Sequence, residues 1–163
     1  MEHTQRRVVV GVDGSAGSRA ALRYALEDAA RRGAAVEVVG AFAVPDYWAG
    51  YYALPPESVE QIQDGLRAQT RQVVDEVVRD LPAAPPVGVT IVPGPAAQAL
   101  VAAADGADLL VLGNRGRGGF ASMLLGSVSL QCAMHAPCPV TIVRTPRAGA
   151  AERAGAPAEA AHA

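Results

Sequence analysis

The residues best suited to chemistry stand in two short loops. One begins Gly113-Asn114-Arg115-Gly116-Arg117-Gly118-Gly119, follows the apolar run Leu109-Leu110-Val111-Leu112, and leads on to Gly126-Ser127 and a helical pattern from Ser127 to Met134. A buried strand that runs into a glycine loop and then a helix start is a recipe for holding phosphate. Glycines let the backbone approach an anion closely, and the free N–H groups and dipole of the helix attract negative charge. The other loop is Gly11-Val12-Asp13-Gly14-Ser15, behind the run Val8-Val9-Val10. Asp13 there has several roles open to it: accepting from a ribose hydroxyl or a base amino group, ligating Mg²⁺, capping a helix or holding its own loop. Its place at the carboxyl end of a strand favours ligand contact. Ser127 suits a helix cap and a phosphate oxygen equally. Arg115, inside the glycine frame, is better placed than Arg117 to meet a phosphate.

Other chemistries find less support. No GxxxxGK[ST] stretch exists, so this is not a P-loop NTPase. Gly116 to Ala121 fits a loose GxGxxA form, but it follows a late strand, and residues 136–145 contain no acid to bind a ribose. A nicotinamide dehydrogenase is therefore disfavoured. His135, Cys138 and Cys132 do not make a zinc set, which needs four ligands; a helix-end histidine and a buried cysteine are expected instead. No general base stands near the glycine loop. A net charge of -2, without a Lys/Arg stripe, argues against nucleic acid. The polar start and the absence of an apolar run of ~18 residues argue against a signal peptide or a membrane span. Two cysteines make no disulfide framework, and a reduced cytoplasmic location is the expectation.

The elements that must position these loops follow from periodicity. Val8–Val12 reads as a buried strand. Leu22, Ala25, Leu26, Ala29 and Ala30 recur at helical spacing, and Gly33 supplies a stop. Val36–Phe42 is a second strand, so a right-handed β-α-β unit is expected. Residues 43–57 carry Tyr47, Trp48, Tyr51 and Tyr52 between prolines; such a loop is either packed down, a lid, or a subunit contact. Ser58-Val59-Glu60-Gln61 matches a capping box, and Val59, Ile62, Leu66, Val73, Val77 and Leu81 give a long helix its apolar face. Strand three spans 87–92. Pro95 opens a helix with Ala96, Ala99, Leu100 and Ala103 inward. Strands four and five are 109–112 and 139–143. Five alternations predict an α/β fold, an open parallel sheet with helices on both faces. The Ala-rich stretch 148–163 reads as a disordered tail behind one domain, 1–147.

Gly113-x2-Gly116-x9-Gly126-Ser127 resembles the nucleotide-binding motif G-x2-G-x9-G-[ST] of the universal stress protein family. Val10–Ser15, Gly94-Pro95-Ala96, Asp108–Gly113 and His135–Val140 are similar too, and the likeness spans about residues 6–145. The resemblance implies a Rossmann-like sheet in the order 3-2-1-4-5 and a homodimer through the last strand, Val140–Val143. It implies ATP as the ligand, with Mg²⁺, and a nucleotide-responsive regulatory or stress-survival role. Carried over by position, Val12, Asp13 and Ala41 would surround the adenosine. Gly113, Arg115, Gly116, Gly126, Ser127, Val128 and Ser129 would line ribose and phosphates. The alternatives are a slow ATPase of the same fold, or a dimeric interaction module without nucleotide.

Overall fold

The computed structural model describes residues 6–44, 55–116 and 124–145. The four loop aromatics, Arg117 and the stretch 148–163 lie outside them. Among the described residues nine elements alternate: β1 (Arg7–Gly11), α1 (Ala16–Arg32), β2 (Ala35–Phe42), α2 (Pro56–Arg79), β3 (Val87–Pro93), α3 (Ala96–Ala103), β4 (Leu109–Gly113), α4 (Ser127–His135) and β5 (Val140–Val143). The five strands form one parallel sheet in the order β3-β2-β1-β4-β5, as the resemblance implied.

The central strands read as continuous apolar runs because both faces are covered. Val8, Val10, Val36, Val38, Leu109 and Val111 meet α1 and α2 on one face. Val9, Val39, Leu110 and Leu112 meet α3 and Cys132 of α4 on the other. Leu22, Leu26 and Leu110 have no exposed surface. Each such side chain stabilises the fold by roughly 1.5–3 kcal/mol.

α1 has the ends its sequence promised. Ser15 caps it, accepting from Ser18 N at 3.2 Å. Gly33 closes it in the left-handed region, at φ 63°, where a side chain would be strained. Its inner face differs by one position: Asp28 is buried, paired with Arg31 and Arg32, and Ala30 is exposed.

Three other local expectations are corrected. α2 starts at Pro56, with Pro55 as its cap and no side-chain cap bond, so Ser58-x-x-Gln61 forms no capping box. The Pro55-Pro56 pair decides this, because a fixed φ near −65° pre-organises a helix start. Only Val74 and Val77 of α2 are buried, with Val73 and Leu81 of the expected face packed on the core in part, and Ile62 is exposed. α3 buries Ala97, Leu100 and Ala104, with Ala103 packed on the same core as expected and Ala96 and Ala99 only partly buried; Pro95 is its cap residue, not its first helical position.

Candidate functional site

The sheet order reverses at β1, which lies between β2 and β4. The loops that leave β1 and β4 at their carboxyl ends therefore face one crevice, where ligands of open α/β sheets bind. A cleft of about 540 Å³ occupies it. Its walls include all ten residues singled out from the sequence: Val12, Asp13, Ala41, Gly113, Arg115, Gly116, Gly126, Ser127, Val128 and Ser129.

The β1 loop is built by local hydrogen bonds. Ser15 N donates to Asp13 Oδ1 at 2.9 Å, and Asp13 N donates to Ser18 Oγ at 3.3 Å. Asp13 thus does hold its own loop. Its second oxygen lies against Gly116: a Cβ on that glycine would stand 2.6 Å from Asp13 Oδ2. The two loops touch at this point.

The β4 loop is pinned at both ends. Asn114 N donates to Val143 O at 2.9 Å, and Gly126 N donates to Asn114 O at 2.8 Å. The second bond returns the chain to its starting point just before α4. The α4 cap is Gly126, not Ser127, and no side chain caps it. Ser127, Val128 and Ser129 are the first helical residues, and N–H groups of a first turn have no acceptor within the helix. No acid stands in that turn to neutralise the helix dipole. Those groups and Arg115 make this side of the cleft a cradle for an anion. Ser129 is 5% exposed, and its Oγ donates to Gly113 O at 2.7 Å. Its proton is committed to tying α4 to the end of β4.

The remaining wall is apolar. Val39 and Ala41 come from β2, Ala96 and Leu100 from α3, Leu112 from β4, and Leu125 and Leu130 flank and enter α4. Of these only Ala41 was singled out as a site residue. Ala96 and Leu100 carry no chemical signal of their own; they reach the cleft because α3 packs under the carboxyl ends of β1 and β2. Leu112 and Gly11 adjoin residues already named, and their closeness to the motif was the available sign.

The two cysteines stand apart from this chemistry. Cys132 is fully buried, and burial pushes its thiol up to about 11. Cys138 is only half-buried, against the expectation of a buried residue, and its Sγ donates to Pro139 O at 3.5 Å. Burial raises that thiol too, while a backbone hydrogen bond from Leu110 and the charge of Arg7 pull it down. His135 ends α4, as expected. Among the described residues no group of three or more metal-ligating side chains gathers, and no helix is long and apolar enough to cross a membrane.

An open parallel α/β sheet with an anion cradle and an apolar wall at its switch point defines a class of small-molecule-binding folds. Within it the assignment is specific. The family model "Universal stress protein family" matches residues 4–144, and the chain belongs to that family. It is 33% identical to a Thermus aquaticus universal stress protein, over 85% of this chain and 98% of that one. It is also 33% identical to universal stress protein Rv2623 of Mycobacterium tuberculosis, over 88% of this chain but 47% of that protein. The chain therefore spans about half the length of such mycobacterial relatives. Among solved structures, a universal stress protein in complex with cAMP superimposes with a TM-score of 0.62 at 28% identity, over 86% of this chain and 98% of that one.

Proposed function

We propose that the cleft binds an adenine nucleotide, ATP above all, and that the protein is a nucleotide-responsive regulatory or stress-survival protein. One observation carries this reading. The two loops chosen for their chemistry line a single cleft, in which one wall is apolar and the other presents helix N–H groups, glycine backbone and Arg115. The apolar wall suits a base, and the cradle suits phosphates. The cAMP complex of the relative at 28% identity supports the same ligand class.

The ten residues divide the work. Val12 and Ala41 pack on the base, and Asp13 takes a hydrogen bond from ribose or base. Gly113, Gly116 and Gly126 keep the backbone close to the phosphates, and Ser127, Val128 and Ser129 direct N–H groups at them. Arg115 supplies charge. Mg²⁺ carried by the phosphates usually keeps several waters and needs only one or two protein carboxylates; the carboxylate of the cleft lining that would hold it is Asp13. It stands where the β1 and β4 loops meet.

The reading extends to assembly and place. β5 is an edge strand with β4 on one side only, and all four of its residues are half-buried. Pairing two copies across this edge would cover a row of unpaired backbone groups. We propose that homodimer, a cytoplasmic location, and the stretch 148–163 as a tail outside the domain.

Calorimetric titration with ATP and Mg²⁺, on protein checked for trapped nucleotide, tests the proposal. Saturable one-to-one binding is expected, and Gly126→Val should abolish it. A Cβ added at that position meets nothing closer than 3.7 Å, so the first atom of a side chain finds room there. No binding to nucleotide-free protein, or full affinity in a folded Gly126→Val, would refute it.

A further inference from the structure

Gly17 lies in the first turn of α1, is buried, and does not line the cleft. Helix propensity alone would favour alanine there. The tertiary contact explains the glycine. A Cβ on Gly17 would stand 2.7 Å from the carbonyl oxygen of Arg115, and a Cβ on Gly113 would stand 2.6 Å from the carbonyl carbon of Gly17. The start of α1 and the start of the β4 loop therefore meet backbone to backbone.

We propose that Gly17 is a positioning residue: its bare Cα sets how deep the Arg115–Gly116 backbone sits, and so shapes the anion end of the cleft. The inference rests on the nucleotide reading above. α1 is firmly held at this contact. Ala21 and Leu22, one turn on, have no exposed surface, and Ser18 is tied to Ser15 and Asp13. A methyl group at Gly17 must then push Arg115 O outward by roughly half an ångström or more, to reach an ordinary contact. That shift passes to both neighbours of Arg115. Gly116 moves against Asp13, and the Arg115 Cα, 3.7 Å from a Cβ on Gly126, moves against the start of α4. Arg115, Gly116 and the start of α4 belong to the phosphate side; of the groups given to the nucleoside, only Asp13 is touched, through Gly116. The apolar wall from β2 and α3 is untouched.

The test is a comparison of wild type and Gly17→Ala by calorimetry, with ATP and with adenosine, alongside thermal unfolding without ligand. Gly17→Ala should weaken ATP about tenfold, the worth of one hydrogen bond to a charged group. Adenosine should lose less affinity than ATP, and the melting temperature should fall by a few degrees, because the added Cβ meets backbone at 2.7 Å. ATP affinity equal to wild type would overturn the proposal, as would equal losses for ATP and adenosine. The wild-type titration reads the nucleotide assignment by itself. A wild type that takes no ATP refutes both readings; one that binds ATP no better than a folded Gly17→Ala refutes only this one. A measurement on wild type alone covers a variant that fails to fold. Saturating ATP should shift the amide resonances of Gly17 and Ser18 together with that of Gly116, and adenosine should not. Unmoved Gly17 and Ser18 resonances with ATP bound would refute the proposal.

Discussion

Replacing Gly113 by alanine should cost stability before any ligand is considered. The added Cβ would stand 2.6 Å from the carbonyl carbon of Gly17, 2.7 Å from its oxygen and 3.1 Å from Ser18 N. All three atoms are backbone of α1, and ordinary contact begins at 3.4 Å. No side-chain rotation relieves the overlap, so α1 or β4 must shift. Overpacking of this kind costs roughly 1–3 kcal/mol. Alanine returns about 0.4–1 kcal/mol by restricting the unfolded chain, because Gly113 is not among the positive-φ glycines. The net expectation is a loss of about 1–2 kcal/mol, and a melting temperature lowered by ~3–6 °C. Gly126→Ala is the matched control. Its nearest neighbours would lie at 3.7 Å, so a change within about 0.5 kcal/mol is expected. Urea unfolding of nucleotide-free protein reads both. The midpoint should fall for Gly113→Ala at an unchanged slope, and hold for Gly126→Ala. A Gly113→Ala protein as stable as Gly126→Ala would refute the close-approach account. The same geometry means that valine at Gly113 would confuse lost folding with lost binding, which is why Gly126 is the better probe of the cleft.

Other outcomes follow from the same structure. Ser129→Ala removes the 2.7 Å hydrogen bond to Gly113 O from a nearly buried position, and should cost about 1 kcal/mol by urea unfolding; wild-type stability would show that this tie between α4 and β4 carries nothing. Cys132 should resist alkylation of the native protein at pH 8 while Cys138 reacts slowly, because the buried thiol ionises only near 11. Its folded pKa lies above its unfolded value, so the stability that burial of the neutral thiol contributes is present below about 9 and is lost as pH rises towards 11. Mass spectrometry after brief alkylation checks the first point, and a Cys132→Ala comparison between pH 8 and 10 checks the second. Sedimentation equilibrium should give twice the 16.7 kDa chain mass if β5 pairs two copies; a monomer at micromolar concentration would refute that pairing.

Much of the fold was readable in the chain because its signals are local. Val8–Val10 and Leu109–Leu112 are apolar throughout, which only a strand covered on both faces tolerates. Gly33 marks a helix end because few other residues adopt its backbone angle. The spacing of Gly113, Gly116, Gly126 and Ser127 marked the glycine loop that lines the cleft and, with the flanking segments, carried the family resemblance. Periodicity could announce five strands but not their order, since order is a matter of which edges meet; the resemblance supplied it.

What tertiary structure alone decided is the set of contacts between distant segments. Proline geometry and packing moved the start of α2 away from its capping-box sequence, and loop closure on Asn114 put the α4 cap at Gly126. Ala96 and Leu100 entered the cleft without any chemical mark, because the crossing of α3 under the strand ends is set by the sheet. Gly17 and Gly113 are both glycine for one shared reason, a backbone contact that neither segment reveals by itself. A sequence states the preferences of each residue for its neighbours in the chain. The width of a cleft is set by backbones far apart in sequence that close packing presses together.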